Sequence, residues 1–354
     1  MQSILITGGC GFIGSNFVRA ALSTLASTRL VVLDSLTYAG NPMNLVGLES
    51  DERLRFVKGD ILDASLLEAL FSEEEFDTVV NFAAESHVDR SILEPGGFVR
   101  TNVLGTQSLI DAARRHWTPV GETCREGVRF LQVSTDEVFG SLGETGLFHE
   151  ATPYDPHSPY SASKAAADHL VRAAFHTHGL PTLITNCSNN YGPYQFPEKL
   201  IPLVIRNARE GHAIPVYGDG KNVRDWLYVT DHCSAILEVL ARGAIGGTYC
   251  VGGNCERRNL DVVETICDLI DEISESASAP RRDLITFVTD RPGHDRRYAI
   301  DSGKIARELG WRPTVDFDEG IRRTVHWYLA NDPWIEAIID GSYREFYDRF
   351  YGNR

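Results

Sequence analysis

Short apolar runs alternate with longer segments of helical periodicity in the first half of this chain. The runs at 4–6, 30–33, 54–61, 78–82, 130–133 and 181–187 predict six strands. Apolar spacing predicts helices over 15–25, from about residue 64, over 98–116 and over 160–176. Strands that alternate with helices are typical of an α/β protein with a parallel sheet.

The pattern changes near residue 190. Pro193, Pro197, Pro202 and Pro215 interrupt a stretch rich in charged and amide side chains, which predicts a second lobe. Further on, a strand-like crossing and helix over 225–241 and a strand over 248–251 lead back to the first sheet, and helices are predicted over 262–273 and 319–329. We therefore expect a first domain over 1–190, joined by 225–250, and a smaller, interleaved α/β lobe for substrate made mainly by 191–354.

A glycine-rich turn follows the first strand. Gly8, Gly11 and Gly14 form GxxGxxG before a helix, which is the arrangement that lets a backbone approach a pyrophosphate at a helix N-terminus. Asp34 ends the second strand, where a carboxylate accepts the ribose hydroxyls and repels a 2′-phosphate. The first domain is thus predicted to be a Rossmann doubly wound sheet that binds NAD in preference to NADP.

Other residues are expected beside this cofactor. Asp60 and Ile61 end the third strand, where an adenine can be recognised, although Asp60 could equally cap the helix that starts near Ala64. Ala83 and Ala84 leave the fourth strand with small side chains that give a ribose and diphosphate room.

Charge and composition exclude several classes of protein. The 354 residues carry 34 Lys and Arg against 49 Asp and Glu, a net charge of −15, which argues against general binding to nucleic acid. No apolar run approaches the length of about 20 residues that spans a membrane, so a cytoplasmic location is expected. The seven cysteines are scattered, which predicts reduced thiols, and neither they nor the eleven histidines have metal-ligand spacing, so no metal is expected.

Reactive side chains follow the fifth strand and open a later helix. Thr135, Asp136 and Glu137 come where a strand end meets a cleft, although a helix cap and a solvated acid would explain them as well. Tyr160 and Lys164 have the i, i+4 spacing that places an ammonium beside a phenol. A phenol with a pKa near 10 needs such positive charge to act as a base at neutral pH.

These features together resemble the extended short-chain dehydrogenase/reductases, and most closely the nucleoside-diphosphate-glucose 4,6-dehydratases of the dTDP-glucose type. The resemblance covers nearly the whole chain and rests on 81–91 (NFAAESHVDRS), 134–138 (STDEV), 188–195 (SNNYGPYQ), 197–202 (PEKLIP), 218–226 (GDGKNVRDW) and 291–298 (RPGHDRRY). Cys10 stands where that family usually has Ala, and Phe139 where Tyr is usual.

The resemblance implies an internal redox cycle that converts dTDP-glucose to dTDP-4-keto-6-deoxy-glucose and water, as in rhamnose or other deoxysugar biosynthesis. Tyr160, with Lys164, takes the C4 hydroxyl proton, Thr135 donates to the developing ketone, Glu137 removes the C5 proton and Asp136 donates to the departing C6 hydroxyl. The sequence itself does not decide which acid has which role.

The resemblance also assigns binding residues. For NAD they are Gly8, Gly11, Phe12, Ile13, Gly14, Asp34, Thr37, Asp60, Ile61, Ala83, Ala84, Ser86, Asn102, Tyr160 and Lys164. For the sugar nucleotide they are Ser86, His87, Thr135, Asp136, Glu137, Asn189, Lys199, Leu200, Pro215, Tyr217, Arg224, Asn259, Arg291, His294 and Tyr351.

Other interpretations share many of these residues. A UDP-glucose 4,6-dehydratase differs in the base and ribose that it accepts, and a nucleotide-sugar 4-epimerase of the same fold shares Thr135, Tyr160 and Lys164 but has no use for acids at 136 and 137. A nucleotide-sensing protein with an inactive site is a third alternative. The family resemblance further implies a homodimer formed through the helices over 98–116 and 160–176.

Overall fold

The computed structural model describes residues 1–118, 123–274 and 279–338. Its strands are β1 (Ser3–Thr7), β2 (Arg29–Asp34), β3 (Leu54–Lys58), β4 (Thr78–Asn81), β5 (Arg129–Thr135), β6 (Thr182–Cys187), β7 (Asn189–Tyr191), β8 (Ile214–Tyr217), β9 (Val223–Tyr228), β10 (Thr248–Val251), β11 (Glu256–Arg258) and β12 (Ile285–Val288). Its helices are α1 (Phe12–Thr24), α2 (Ala64–Glu74), α3 (Val88–Leu93), α4 (Pro95–Phe98), α5 (Thr106–Trp117), α6 (Pro159–His178), α7 (Leu200–Glu210), α8 (Val229–Arg242), α9 (Asn259–Ile273), α10 (Gly303–Leu309), α11 (Phe317–Ala330) and α12 (Asp332–Ile338).

A seven-stranded parallel sheet is the centre of the larger lobe, in the order β10-β6-β5-β4-β1-β2-β3. Helices α1, α8 and α10 pack on one face, and α2, α5 and α6 on the other. Because both faces are covered, β1 and β4 are buried along their whole length, as continuous apolar runs in parallel sheets are. The predicted α/β class with a doubly wound sheet is confirmed. The strand order reverses between β1 and β4, which opens a crevice at their carboxyl ends.

The smaller lobe contains a three-stranded sheet, β11-β9-β7, and the parallel pair β12-β8. Helices α7, α9 and α11 cover these strands around a separate apolar core. Strand β9 belongs to this lobe, so the chain returns to the large sheet only at α8 and β10. Helix α10 then packs against both of these elements, which makes the two lobes interleaved.

One predicted helix has an unexpected form. The segment predicted as a helix over 98–116 continues from α4 into a π-helical turn, Val99–Gly105, and then into α5. Gly105 lies against Ile61, whose Cδ1 would be 2.5 Å from a Cβ at that position. Two segments predicted as loops, the polar segment at 117–128 and the connector at 272–280, lie partly outside the described residues.

Candidate active site

A cavity of about 310 Å³ opens at the carboxyl ends of strands β1 to β6, beside the reversal of strand order. Residues from six separate strand ends line it, as expected for an open α/β sheet. The predicted site residues that line it are Gly8, Gly11, Phe12, Ile13, Gly14, Asp34, Thr37, Asp60, Ile61, Ala83, Ala84, Ser86, Thr135, Asp136, Glu137, Tyr160, Lys164, Asn189 and Lys199.

The glycine turn between β1 and α1 is tightly packed against its neighbours. Gly8 has a φ of +67°, and a Cβ there would lie 2.7 Å from the backbone nitrogen of Ala83. A Cβ on Gly14 would overlap the carbonyl oxygen of Gly8. Gly11 caps α1 without a side-chain hydrogen bond, so the first N–H groups of the helix face the cavity without a side-chain acceptor.

Asp34 is held in place by the backbone. Its Oδ2 accepts from the Cys10 N–H at 2.9 Å and its Oδ1 from the Leu36 N–H at 2.8 Å. Burial raises the pKa of Asp34, and these two hydrogen bonds counteract the effect. The alternative reading of Asp60 as a helix cap is wrong, because Asp63 caps α2 and Asp60 accepts from the Leu62 N–H instead.

Asn102 lies beside the cavity and connects two of the elements that form it. Its Oδ1 accepts from the Glu85 N–H at 2.8 Å, and its Nδ2 donates to the Glu85 carbonyl and to Ser163 Oγ. Asn102 therefore joins the loop after β4 to α6, and it does not line the cavity itself.

The two adjacent acids lie in different electrostatic surroundings. Asp136 is 2% exposed; its Oδ1 accepts from Thr135 Oγ1 at 3.3 Å, and its Oδ2 has no hydrogen-bond partner among the described residues. Burial raises the pKa of Asp136 well above its usual range, and Glu137 raises it further. Burial also raises the pKa of Glu137, but nearby cations counteract the effect there, namely Arg291, Lys199 and Arg224.

Tyr160 and Lys164 project from the first turns of α6, which begins at a capping box formed by Ser158 and Ser161. Burial raises the pKa of the Tyr160 phenol well above its usual value, and the Glu137 carboxylate adds to this. Lys164 is buried and donates from Nζ to the Val133 carbonyl at 2.7 Å. The phenol thus needs positive charge nearby before it ionises.

Two arginines of the smaller lobe act on the acid pair without lining the cavity. Arg224 donates from Nη2 to the Asp295 carbonyl at 2.9 Å and stacks on Tyr298. Arg291 donates from Nη1 to Asp89 Oδ1 at 2.8 Å, while its buried Nε has no partner among the described residues.

Two asparagines and a histidine belong to the same region. The Oδ1 atoms of Asn189 and Asn259 are buried without a partner in the described part of the chain. His294 contacts Asp290 at 2.6 Å, and burial, with Arg291 and Arg224, lowers its pKa to about 4.

The remaining predicted substrate residues are placed as follows. Lys199 donates from Nζ to the Ser86 carbonyl at 2.9 Å, and Leu200 begins α7. The Tyr217 hydroxyl donates to Asp89 Oδ2 at 3.1 Å. The residues that do not line the cavity are His87, Leu200, Pro215, Tyr217, Arg224, Asn259, Arg291 and His294. Tyr351 lies outside the described residues.

Sequence reasoning missed polar residues of the cavity wall. Glu198 is buried, and its Oε2 accepts from Arg90 Nε and Nη2, each at 3.3 Å. Ser188 and Asn190 follow β6, so the strand-end rule would have found them. Within the described ranges, no group of three side chains is arranged to hold a metal ion, and no helix is long and apolar enough to cross a bilayer.

Comparison with known proteins finds similarity to sugar-nucleotide 4,6-dehydratases. The sequence profile of the family described as GDP-mannose 4,6 dehydratase matches residues 5–324. A dTDP-glucose 4,6-dehydratase of Xanthomonas campestris pv. campestris (strain B100) is 59% identical over 345 residues, which cover 97% of this chain and 98% of the relative.

Two solved structures are similar over most of the chain. The dTDP-glucose 4,6-dehydratase DesIV of Streptomyces venezuelae, crystallised with NAD and TYD bound, superposes with a TM-score of 0.87 at 47% identity, covering 95% of this chain and all of that one. The UDP-glucose 4-epimerase of Thermus thermophilus, in complex with NAD, gives a TM-score of 0.81 at 28% identity, covering 93% of this chain and all of that one.

Proposed function

The chain belongs to the dTDP-glucose 4,6-dehydratase family, and on this premise we propose that it is an NAD-dependent lyase that converts dTDP-glucose to dTDP-4-keto-6-deoxy-glucose and water. The observation that carries the proposal is the pair Asp136 and Glu137 at the end of β5. One carboxyl of this pair is buried with little compensation, while three cations act on the other. Elimination of water needs one acid and one base, and two carboxyls with separated pKa values supply both.

The cavity fits NAD on its own geometry. The Gly8 and Gly14 positions leave no space for a side chain, the N-terminus of α1 presents N–H groups to a pyrophosphate, and Asp34 is oriented by two backbone donors. When bound, NAD accepts a hydride from C4 of the sugar and returns it to C6. Asp60, Ile61, Ala83 and Thr37 complete the proposed cofactor site, as do Gly11, Phe12, Ile13, Ala84, Ser86 and, behind them, Asn102.

The chain's own residues move the protons. Tyr160 takes the proton of the C4 hydroxyl once the Lys164 charge offsets its burial, and Thr135 Oγ1 donates to the new carbonyl oxygen. The 4-ketone makes the C5 proton acidic, and Glu137 removes it. Asp136, which burial keeps protonated, donates to the departing C6 hydroxyl. When hydride returns to C6, a proton returns to C5, which completes the 4-keto-6-deoxy product. The pKa directions thus support the roles implied by the family resemblance.

We assign the diphosphate of the sugar nucleotide to the cationic and amide groups of the smaller lobe. Arg224, Arg291 and Lys199 are the local positive charges in an acidic protein, and Arg can bind a phosphate bidentately. The side-chain amides of Asn189 and Asn259 each carry an Nδ2 group that can donate to a phosphate oxygen. The other proposed contacts are Ser86, His87, Leu200, Pro215, Tyr217, His294 and Tyr351.

The reaction is tested by incubation of the holoenzyme with dTDP-glucose in deuterated water. We expect the 4-keto-6-deoxy product with deuterium at C5, and Asp136→Asn and Glu137→Gln should keep NAD and the fold but lose most elimination. Recovery of the galactose epimer alone would overturn the proposal in favour of an epimerase. Side-by-side kinetics should show a lower KM for dTDP-glucose than for UDP-glucose; the reverse order would assign the enzyme to UDP-glucose.

We also propose a homodimer. Leu93, Val99 and Leu104 are about half exposed, at 51%, 49% and 53%, on and beside the helix that was predicted over 98–116. Exposed apolar side chains that cluster on a surface mark protein interfaces, and we infer that these three form such a cluster. Leu104→Lys should shift the sedimentation coefficient at micromolar concentration from dimer to monomer, whereas Phe287→Lys, at an exposed position on β12, should not. A monomeric parent protein would contradict this proposal.

We also propose a cytoplasmic setting. The seven cysteines, all among the described residues, form no disulfide, which suits a reducing cytoplasm. A 4-keto-6-deoxy sugar nucleotide is a precursor for rhamnose or another deoxysugar, and we place the enzyme in such a biosynthetic sequence. Loss of deoxysugar from cells that lack the enzyme, with the protein in the cytoplasmic fraction, is the expected result.

A further inference from the structure

A carboxylate behind the cavity has no role in the proposed proton transfers. Asp168 lies one helical turn beyond Lys164 on α6 and is fully buried. Its Oδ2 accepts from Ser134 Oγ at 2.7 Å and from the Tyr154 hydroxyl at 2.8 Å, with Asn186 Nδ2 at 3.4 Å. A carboxyl group so far from water is costly to the fold unless it is paired and hydrogen-bonded.

Burial raises the pKa of Asp168, while the Lys164 charge and the hydrogen bonds from Ser134 and Tyr154 lower it. The directions of the hydrogen bonds favour the ionised form. Arg172 Nη2 donates to the Tyr154 hydroxyl oxygen at 2.8 Å, and because a guanidinium cannot accept, the Tyr154 proton is free to point at Asp168. Asp168 Oδ1 has no partner among the described residues. A proton on that oxygen would be a buried donor without an acceptor, which disfavours the neutral form.

The cation that this charge can stabilise is Lys164. Burial lowers the pKa of Lys164, and among the influences that oppose burial the Asp168 carboxylate comes first, followed by Cys187. Residues spaced i, i+4 share one face of a helix. A fully buried ammonium without a neighbouring negative charge tends to lose its proton.

We propose that Asp168 is a positioning residue of the reaction, whose buried charge keeps Lys164 protonated so that Lys164 can stabilise the Tyr160 phenolate. Through Ser134 the same carboxylate also fixes the end of β5 beside Thr135. The kinetic consequence rests on the proposed function, since it concerns the step that Tyr160 performs. The titratable and charged groups that face these three residues are Arg172, Tyr154, Cys187, Asp136 and Glu137.

The pH profile of kcat in Asp168→Asn tests the proposal. Asparagine keeps an acceptor oxygen but removes the charge, so Lys164 becomes neutral and the phenolate of Tyr160 forms only at higher pH. The rising limb of the kcat pH profile should move to higher pH by at least about one unit. At a pH below the limb, kcat should then be about ten-fold lower than in the parent, with little change in KM. Asp168→Glu restores the charge and should move the limb back. Tyr154→Phe is the matched control, because it removes a donor to the same oxygen without removing charge, and its limb should stay in place.

A purely structural role gives a different result. If Asp168→Asn were less stable or lost its bound NAD but kept the kcat pH profile of the parent, the proposal would be overturned. Should that variant not fold, the parent holoenzyme decides by NMR of its ¹³C-labelled lysine Cε, with Lys164 assigned from Lys164→Arg. A Lys164 ammonium that persists to about pH 8 supports the proposal, and a neutral amine at about pH 7 refutes it. This titration needs no substrate, so a parent enzyme without turnover would refute the proposed function and leave the test of the Lys164 charge intact.

Discussion

Acid should destabilise this protein in part through the buried imidazole of His232. His232 lies on α8 with no exposed surface; its Nδ1 is 3.0 Å from Asn190 Oδ1, and its Nε2 has no hydrogen-bond partner among the described residues. Burial lowers the pKa of His232 from 6.5 to about 3. Between these values the unfolded chain binds a proton that the folded protein excludes.

The size of the effect follows from the two pKa values. The stability that neutral His232 contributes is fully present above about pH 6.5 and is lost as the pH falls toward about 3. Each pH unit in that window costs about 1.4 kcal/mol. A change from about pH 8 to about pH 5 crosses about 1.5 units of the window, so this residue alone should remove about 2 kcal/mol from the free energy of unfolding.

Urea unfolding of the parent and of His232→Asn at these two pH values measures the effect. Asparagine places an amide near the Nδ1 position but does not titrate. The cavity left by the smaller side chain therefore lowers the free energy of unfolding equally at both pH values. The loss of unfolding free energy on acidification should be about 2 kcal/mol smaller in the variant. His178→Asn, at the exposed end of α6, should leave the loss unchanged. An equal loss in the parent and in His232→Asn would show that His232 does not resist protonation.

Three further predictions concern the site. Gly14→Ala should lower the free energy of unfolding by about 1–3 kcal/mol and reduce the NAD content of the purified protein, since its Cβ would overlap the Gly8 carbonyl oxygen. Nucleotide absorbance after denaturation measures the NAD content, and full occupancy would contradict the close approach of the backbone to NAD. Tyr160→Phe should keep NAD but lower kcat by about 10²–10⁴, so a parent-like rate would exclude the phenol as the base. Asn259→Asp should raise the KM for dTDP-glucose about ten-fold or more by repelling the diphosphate, whereas Asn254→Asp, in an exposed turn, should not; equal KM values would remove Asn259 from the diphosphate site.

The strand ends were predictable because burial and strand length leave a strong periodic signal. The run at 130–133 predicted a strand that β5 extends by two residues at its carboxyl end, to Thr135. The convergence of the glycine turn and Asp34 also follows from a general rule for parallel sheets. The local pattern was sufficient to predict these positions because the carboxyl ends of parallel strands meet at one edge of the sheet, however far apart the strands lie in the sequence.

Other features depend on contacts that no local pattern encodes. The π-helical turn that carries Asn102 was predicted as ordinary helix, since the bonds of Asn102 to Glu85 and Ser163 join residues 17 and 61 positions apart. Asp168 has the same spacing from Lys164 as many surface ion pairs, and only burial with Ser134, 34 residues away, distinguishes it. The opposed environments of Asp136 and Glu137 likewise depend on cations from the other lobe.

The interleaving of the lobes limits how this enzyme can be re-engineered. Helix α8, strand β10 and helix α10 follow segments of the smaller lobe in the chain, yet they cover one face and one edge of the large sheet. A fragment cut near residue 190 would leave β6 as a bare edge and α1 without its packing partner, which invites aggregation. New sugar specificity therefore has to be transplanted loop by loop, because neither half can be exchanged as a self-contained module.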